Sequence, residues 1–332
     1  MSAHRPRISV VMPVYNTAPY LRRALDSVCN QTLEDLEILC INDGSTDESP
    51  AILAEYAARD PRIRLIDHGK NRGVACAMNT GFDAAQGEAL GIVDSDDAVG
   101  KDFFGELWTS YAGSRCDIVK GRIVERDLKG IWRESYPNEF AKNTISFCGP
   151  WASAIYKTDF IRKHQLRLCP KLPCGQDTLF LYCLMGHGPR INFCDTAIYY
   201  YFRNKSSVTN SHSDDFYVAL HIMIAKLMKQ YLPTFPHERL RQEMYRHIIT
   251  MLNSCLNIRF SPCDASPYLT ELKAIFADDE FYTPQKSFPF LQRVDKVKDI
   301  QELKRLLEPF LESTRKTILL NSLRAGLQKK HA

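Results

Sequence analysis

The feature that most narrows the fold is an alternation in the first hundred or so residues, where short β-branched runs are each followed by a helical stripe. Ile8 to Pro13 is such a run, and Tyr20 to Asn30 carries Leu21, Ala24, Leu25 and Val28 at helical spacing. Leu36 to Asn42 reads as a second strand, closed by the turn-forming Asp43-Gly44-Ser45. Ser49-Pro50 offers an N-cap and a Pro at the first helical position, with the helix running to about Arg59. Ile63–Asp67, Val74–Ala85 and Ala89–Asp94 continue as strand, helix and strand. Strands of near-continuous apolar character separated by helices predict an α/β fold, with a Rossmann-like, mostly parallel sheet flanked by helices.

From about Ser114 the rhythm loosens. Cys116–Val124, Trp151–Tyr156 and Ala197–Phe202 read as strands. Beyond Asp215 the pattern is helical, over 217–231, 237–260, 268–277 and 300–328. This gives three segments, 1–110, 111–212 and an α-helical C-terminal extension over 213–332.

Bulk properties exclude several classes. Lys plus Arg is 43 against 39 for Asp plus Glu, and a net charge of +4 is too small to imply a nucleic-acid partner. No apolar stretch approaches the ~20 residues that cross a bilayer, and no apolar signal core precedes the first strand. Eleven cysteines, an odd number with no Cys-x-x-Cys pair, predict free core thiols rather than disulfides or structural zinc. The expected compartment is the cytoplasm.

In an open parallel sheet, ligands bind at the carboxyl ends of the strands. The polar residues that follow the four strands are Tyr15 and Asn16; Asn42, Asp43 and Gly44; Lys70, Asn71 and Arg72; and Asp94-Ser95-Asp96-Asp97. All are expected on one edge. Asp94 and Asp96 are spaced i and i+2, which in extended chain sets both carboxylates on one face. Such a pair suits a hard divalent cation that completes its shell with water and diphosphate oxygens, and the plainer alternative is an acidic turn that ends a strand. Neither Gly-x-Gly-x-x-Gly after the first strand nor Gly-x-x-x-x-Gly-Lys-Ser/Thr occurs, which argues against a dinucleotide-dependent dehydrogenase and a P-loop phosphotransferase.

Pro13-Val-Tyr-Asn16, Asn42-Asp-Gly-Ser-Thr-Asp47, Asn71-Arg-Gly with Asn79-Thr-Gly81, and Asp94-Ser-Asp-Asp97 resemble the successive signatures of family 2 glycosyltransferases, enzymes of the GT-A fold. The resemblance is continuous over about 7–105 and continues more thinly through Gly175-Gln-Asp177 with Phe180, and Tyr199 to Arg203 with Ser207. It implies inverting transfer of a sugar from a nucleoside diphosphate sugar, UDP above GDP or dTDP, to a hydroxyl of a saccharide or lipid-linked acceptor in surface polysaccharide or lipopolysaccharide synthesis. It makes segment 1–110 the nucleotide-sugar-binding half and 111–212 the acceptor-binding half of one domain. Pro13, Tyr15, Asn16, Asp43, Arg72, Asp94 and Ser95 would bind the donor, with Tyr15 near the base, Asp43 at base or ribose, Arg72 toward the diphosphate and Asp94 at the ribose. Asp96, with Asp94, would hold Mn²⁺ or Mg²⁺. Arg203 is a further candidate diphosphate contact, and Asp177 would be the base that takes the acceptor's proton.

The sequence departs from that pattern in places. Gln176 replaces the usual Glu before Asp177, Asn42 a frequent Asp, and Met78 a usual Arg, for which a core position is expected. Asp177 also reads as a helix cap. His68, His164 and His187 look isolated, as surface or capping residues, and the aromatic run Tyr199–Phe202 as core. Residues 313–332 carry five basic residues and no acid beside an apolar stripe of Ile318, Leu319, Leu323 and Leu327. That helix either packs on its domain or lies on an anionic membrane, which would place the enzyme peripherally at the inner face. Phe281, Phe288, Phe290 and Leu291 are core or interface. A non-catalytic nucleotide-sugar binder and a sugar nucleotidyltransferase are the competing functions.

Overall fold

The largely apolar runs of β1 (Ile8–Val14) and β2 (Leu36–Asn42) leave almost no exposed surface, and the two pair in parallel from Ile8–Leu36 to Val14–Asn42. The fold is that of a computed structural model, which describes residues 5–135, 151–204 and 214–236, together with 238, 241, 270, 298, 302 and 305. β3 (Ile63–Asp67) and β4 (Ala89–Ile92) join in parallel on either side of that pair. Between these strands run α1 (Ala18–Cys29), α2 (Ser49–Arg59) and α3 (Val74–Ala84). α1 buries Leu21, Ala24, Leu25 and Val28, the stripe its spacing predicts.

The start of α2 differs from expectation in its cap. Glu48 is the N-cap residue, without a side-chain cap bond, and Ser49 is fully buried inside the helix. Asp47 takes over the capping chemistry: its Oδ1 accepts from Ser49 N–H at 2.9 Å and its Oδ2 from Ala18 N–H at 3.0 Å, so one carboxylate serves the starts of α1 and α2. Those hydrogen bonds hold its pKa below the ordinary carboxylate value, against the opposing effect of burial.

The chain continues through β5 (Ala98–Val99), α4 (Phe103–Ala112), β6 (Ile118–Arg126), β7 (Trp132–Ser135), a 3-10 turn at Trp151–Ser153, β8 (Ala154–Lys157), α5 (Thr158–Lys163), α6 (Gln176–Gly186) and β9 (Ile191–Phe202). The sheet order is β3-β2-β1-β4-β8-β6-β9-β5, with β7 on β6. The two halves expected within the first 212 residues therefore share one sheet. β8 is antiparallel to both β4 and β6, so β6, and β9 parallel to it, end on the same edge as β4. β5, α4, β7 and α5 are absent from the sequence expectation. β5 and β7 are too short to show periodicity, and Trp151–Ser153, expected as strand, turns as 3-10 helix.

Two compact units divide the chain, Met1–Ser207 and Val208–Ala332. In the second, α7 (Asp214–Tyr231) is the main described element and buries Leu220, Ile222, Ile224, Ala225 and Met228. The helices expected farther on, the phenylalanines of 281–290 and the basic segment 313–332 lie outside the described residues, single positions apart. Among the described residues no helix is long and apolar enough to cross a membrane. The described cysteines are all free thiols, and Cys40, Cys116, Cys174 and Cys183 are buried.

Candidate active site

The loops at the carboxyl edge are held together by the residues of the sequence motifs themselves. Asn16 has φ 52°, a left-handed backbone that Asn tolerates. From there its Oδ1 accepts Thr46 N–H at 2.7 Å, and its own N–H donates to Ser45 Oγ at 3.1 Å. Thr17 donates its N–H to Ser49 Oγ and its hydroxyl to the buried Ser95 Oγ, at 3.1 and 3.0 Å. The β1, β2 and β4 loops thus interlock. Tyr15, 45% exposed, and Pro13 at the end of β1 border the open side of this edge.

Asp43 lies beneath the surface, at 2% exposure. Its Oδ1 accepts Arg72 N–H at 3.0 Å and its Oδ2 Gly73 N–H at 2.8 Å, so it shapes the loop that carries the exposed Arg72. Oδ1 also lies 2.7 Å from His68 Nδ1, while His68 Nε2 lies 3.0 Å from Thr80 Oγ1. His68 is not the surface residue expected: its side chain is 4% exposed. His164 and His187 are not isolated either, since their rings stack at 4.2 Å; burial lowers the pKa of both. Gly44 has φ +71°, and a Cβ there would come within 2.4 Å of the Lys70 carbonyl carbon. Gly44→Ala is expected to lower stability by roughly 1–3 kcal/mol, read from the denaturant midpoint.

The Asp94–Asp97 turn carries three different carboxylate environments. Asp97 is buried at 1% and accepts Tyr199 O–H at 2.8 Å and Phe202 N–H at 2.9 Å. It is an anchor that ties the turn to β9, and it explains why Tyr199 is core. Asp96 accepts Asn204 Nδ2–H at 2.6 Å, and its main-chain carbonyl accepts from Arg23 Nη2. Burial raises its pKa, and the nearby Arg23 charge opposes that. Asp94 is pushed up to about 7, first by burial and then by the charges of Asp96 and Asp177.

Asp177 therefore comes within electrostatic reach of Asp94, although it stands in α6, far along the chain. It occupies the first turn of that helix, two residues after the N-cap Gly175 at φ 70°, so it is not the N-cap residue itself, but its carboxylate accepts backbone hydrogen bonds at the helix start. Burial raises its pKa, with hydrogen bonds at Thr178 pulling the other way. One reciprocal pair of hydrogen bonds and one single bond hold the segment leading into this turn. Asn79 and Leu168 exchange side-chain amide and backbone bonds, each at 2.9 Å, and Gln176 Nε2 donates to Leu172 O at 2.8 Å. The second contact needs a donor, which a Glu carboxylate at 176 does not supply. Met78 is fully buried, as expected.

Arg203 pairs with Glu125 across β6 and β9, and its side chain is 54% exposed. Arg23 and Asn204, which flank Asp96, carry no sequence signal: Arg23 lies off the apolar stripe of α1 like any solvated helix residue. Among the described residues no group of three or more His, Cys, Asp or Glu could hold a metal by itself. Asp94 and Asp96 nevertheless fit a divalent cation, being desolvated, mutually repelling carboxylates whose charge a cation would offset, with water and diphosphate oxygens filling its shell.

A sheet of this order, with acidic turns gathered at the edge where β1, β4, β6 and β9 end, defines the GT-A class of α/β fold. The chain belongs to glycosyl transferase family 2, whose family model matches residues 9–183. An uncharacterized glycosyltransferase of Bacillus subtilis, EpsJ, is 30% identical over 219 residues, covering 61% of this chain and 63% of that one. The chain thus spans a little under two thirds of that relative's length. In three dimensions it is similar to residues 1–349 of Staphylococcus aureus TarS in complex with UDP-GlcNAc, with TM-score 0.71, 18% identity and 92% of each chain covered. It is also similar to a mannosyltransferase of Pyrobaculum calidifontis in complex with GDP-Man and Mn²⁺, with TM-score 0.52, 18% identity, and 98% and 87% covered.

Proposed function

We propose that this protein is an inverting, metal-dependent glycosyltransferase that moves a sugar from a nucleoside diphosphate sugar, most simply a UDP-sugar, to a hydroxyl of a saccharide or lipid-linked acceptor. The observation that carries this reading is the convergence of Asp94, Asp96 and Asp177, from two distant parts of the chain, on one sheet edge. Tyr15, beside Pro13 and Asn16, would face the base, and Arg72, on the loop that Asp43 shapes, would approach the diphosphate. Ser95 holds the turn that presents Asp94 to the ribose and Asp96 to Mn²⁺ or Mg²⁺. The cation, when bound, would offset the charge that develops on the departing diphosphate.

Asp177 would accept the acceptor's hydroxyl proton as the acceptor oxygen bonds to the anomeric carbon and the bond from that carbon to the diphosphate oxygen breaks. The nucleoside diphosphate leaves with that electron pair. A base must be ionised to act, and the raised pKa of Asp177 makes its carboxylate more basic than an exposed Asp. The two neighbours solved with UDP-GlcNAc and with GDP-Man and Mn²⁺ support a nucleotide-sugar donor and a divalent ion. The basic, apolar-striped segment 313–332 supports peripheral contact with an anionic membrane, where lipid-linked acceptors reside.

A thermal-shift screen of UDP, GDP and dTDP, with and without Mn²⁺, tests the class. UDP with Mn²⁺ is expected to stabilise the fold by about 2.7 kcal/mol at a hundredfold excess over Kd. A flat response to all three nucleotides would sink the proposal.

A further inference from the structure

Beyond the strand-end cluster, the structure holds a cavity of about 420 Å³ between the start of α1, the β6–β7 hairpin and the end of β9. Its walls carry Arg23, Arg126, Lys129 and Arg203 against one acid, Asp127. That acid is occupied: its Oδ1 accepts Lys129 N–H and Ile131 N–H, both at 2.9 Å, and its Oδ2 faces Arg133 at 3.4 Å. Arg203 is balanced by Glu125, but Arg23 and Arg126 repel one another, and the buried Nε of Arg23 has no hydrogen-bond partner. Phe202 forms an apolar wall, with the Arg23 guanidinium 3.5 Å from its ring centre and Trp132 packed at 5.3 Å.

We propose that this cavity is an anion subsite for the acceptor, taking a phosphate group that the acceptor carries. Three observations support this. The cavity's cations exceed its acids, an excess that an anionic oxygen offsets through charge-assisted hydrogen bonds. Of the donor-site candidates, Tyr15, Asp43, Arg72, Asp94 and Asp177 do not line it and Arg203, itself paired with Glu125, does, so the cavity lies largely apart from the donor edge. It nevertheless adjoins the reaction centre, because two of its lining residues, Arg23 and Asn204, hold Asp96. The inference rests on the donor and acceptor roles proposed above.

The test uses the full chain with UDP and Mn²⁺ already saturating, titrated calorimetrically with a glycerol phosphate trimer in one arm and a short isoprenyl monophosphate in the other. At least one phosphate is expected to bind alongside UDP, and its Kd to rise at least about tenfold in Arg126→Ala/Lys129→Ala, with UDP affinity and Tm unchanged. Lys129→Arg, which keeps the charge, is expected to retain binding. Binding of the trimer alone identifies a polymer phosphate as the source, and binding of the isoprenyl compound alone a lipid carrier. The proposal is overturned if neither phosphate binds, if UDP displaces the phosphate, or if the double variant binds it like the wild type. A failure of the donor reading shows separately, as absence of UDP binding in the wild type before any phosphate is added.

Discussion

Asp96→Ala is expected to abolish the Mn²⁺-dependent part of UDP binding while the protein stays folded. Asp96 keeps its carboxylate in a desolvated setting, held by Asn204 Nδ2 and steered by Arg23 on its main-chain carbonyl. Neither contact is a structural keystone of the sheet, in contrast to Asp97, whose carboxylate anchors β9. The substitution removes one of the two carboxylates available to a cation and leaves only Asp94, so the affinity gained on adding Mn²⁺ disappears, a loss of at least about a hundredfold. Titration of UDP with and without Mn²⁺, on wild type and variant, measures it. Equal Mn²⁺ enhancement in the two proteins would remove Asp96 from the ligand set.

Asp177→Asn has the opposite profile. UDP binding is expected to stay within a few-fold of wild type, and sugar transfer to fall by about 10²–10⁴, the range for losing a positioned base. The amide is isosteric and neutral, so it also removes one negative charge acting on Asp94 and is expected to ease donor binding slightly. The wild-type enzyme should show the matching pH dependence. Burial raises the pKa of Asp177, and a protonated carboxyl cannot accept a proton, so transfer is lost as pH falls, with the acid limb above the range of an exposed carboxylate. Transfer by Asp177→Asn at more than a tenth of the wild-type rate would mean that the base is elsewhere.

The polar cluster at the strand ends was legible because its signals are local. Alternating strands and helices come from periodicities of a few residues, and the Asp94/Asp96 pair from an i, i+2 spacing at a strand end. What escaped depends on partners distant in sequence. His68 looks like a surface residue until β2 and β3 pair and set Asp43 against it. Arg23 and Asn204 meet at Asp96 only because β5 pairs with β9, Ala98 opposite Tyr200. Ser49 misleads for another reason. Ser-Pro is a strong local cap signal, yet the preceding Asp47 can reach two helix starts at once and displaces it. Gln176 reads as a lost charge in isolation, and only the Leu172 carbonyl shows that the position needs a donor.

The antiparallel step through β8 has a bearing on how the protein comes into being. β1 to β4 are contiguous in the chain and can pair as they leave the ribosome, which assembles the loops at their carboxyl ends early. β8 joins β4 through Ala89 and Lys157, a far longer loop to close, and the helix bearing Asp177 follows only after it. A nascent or truncated chain that stops short of α6 would therefore hold the β1–β4 edge while still lacking Asp177, the carboxylate that the complete sheet brings near Asp94.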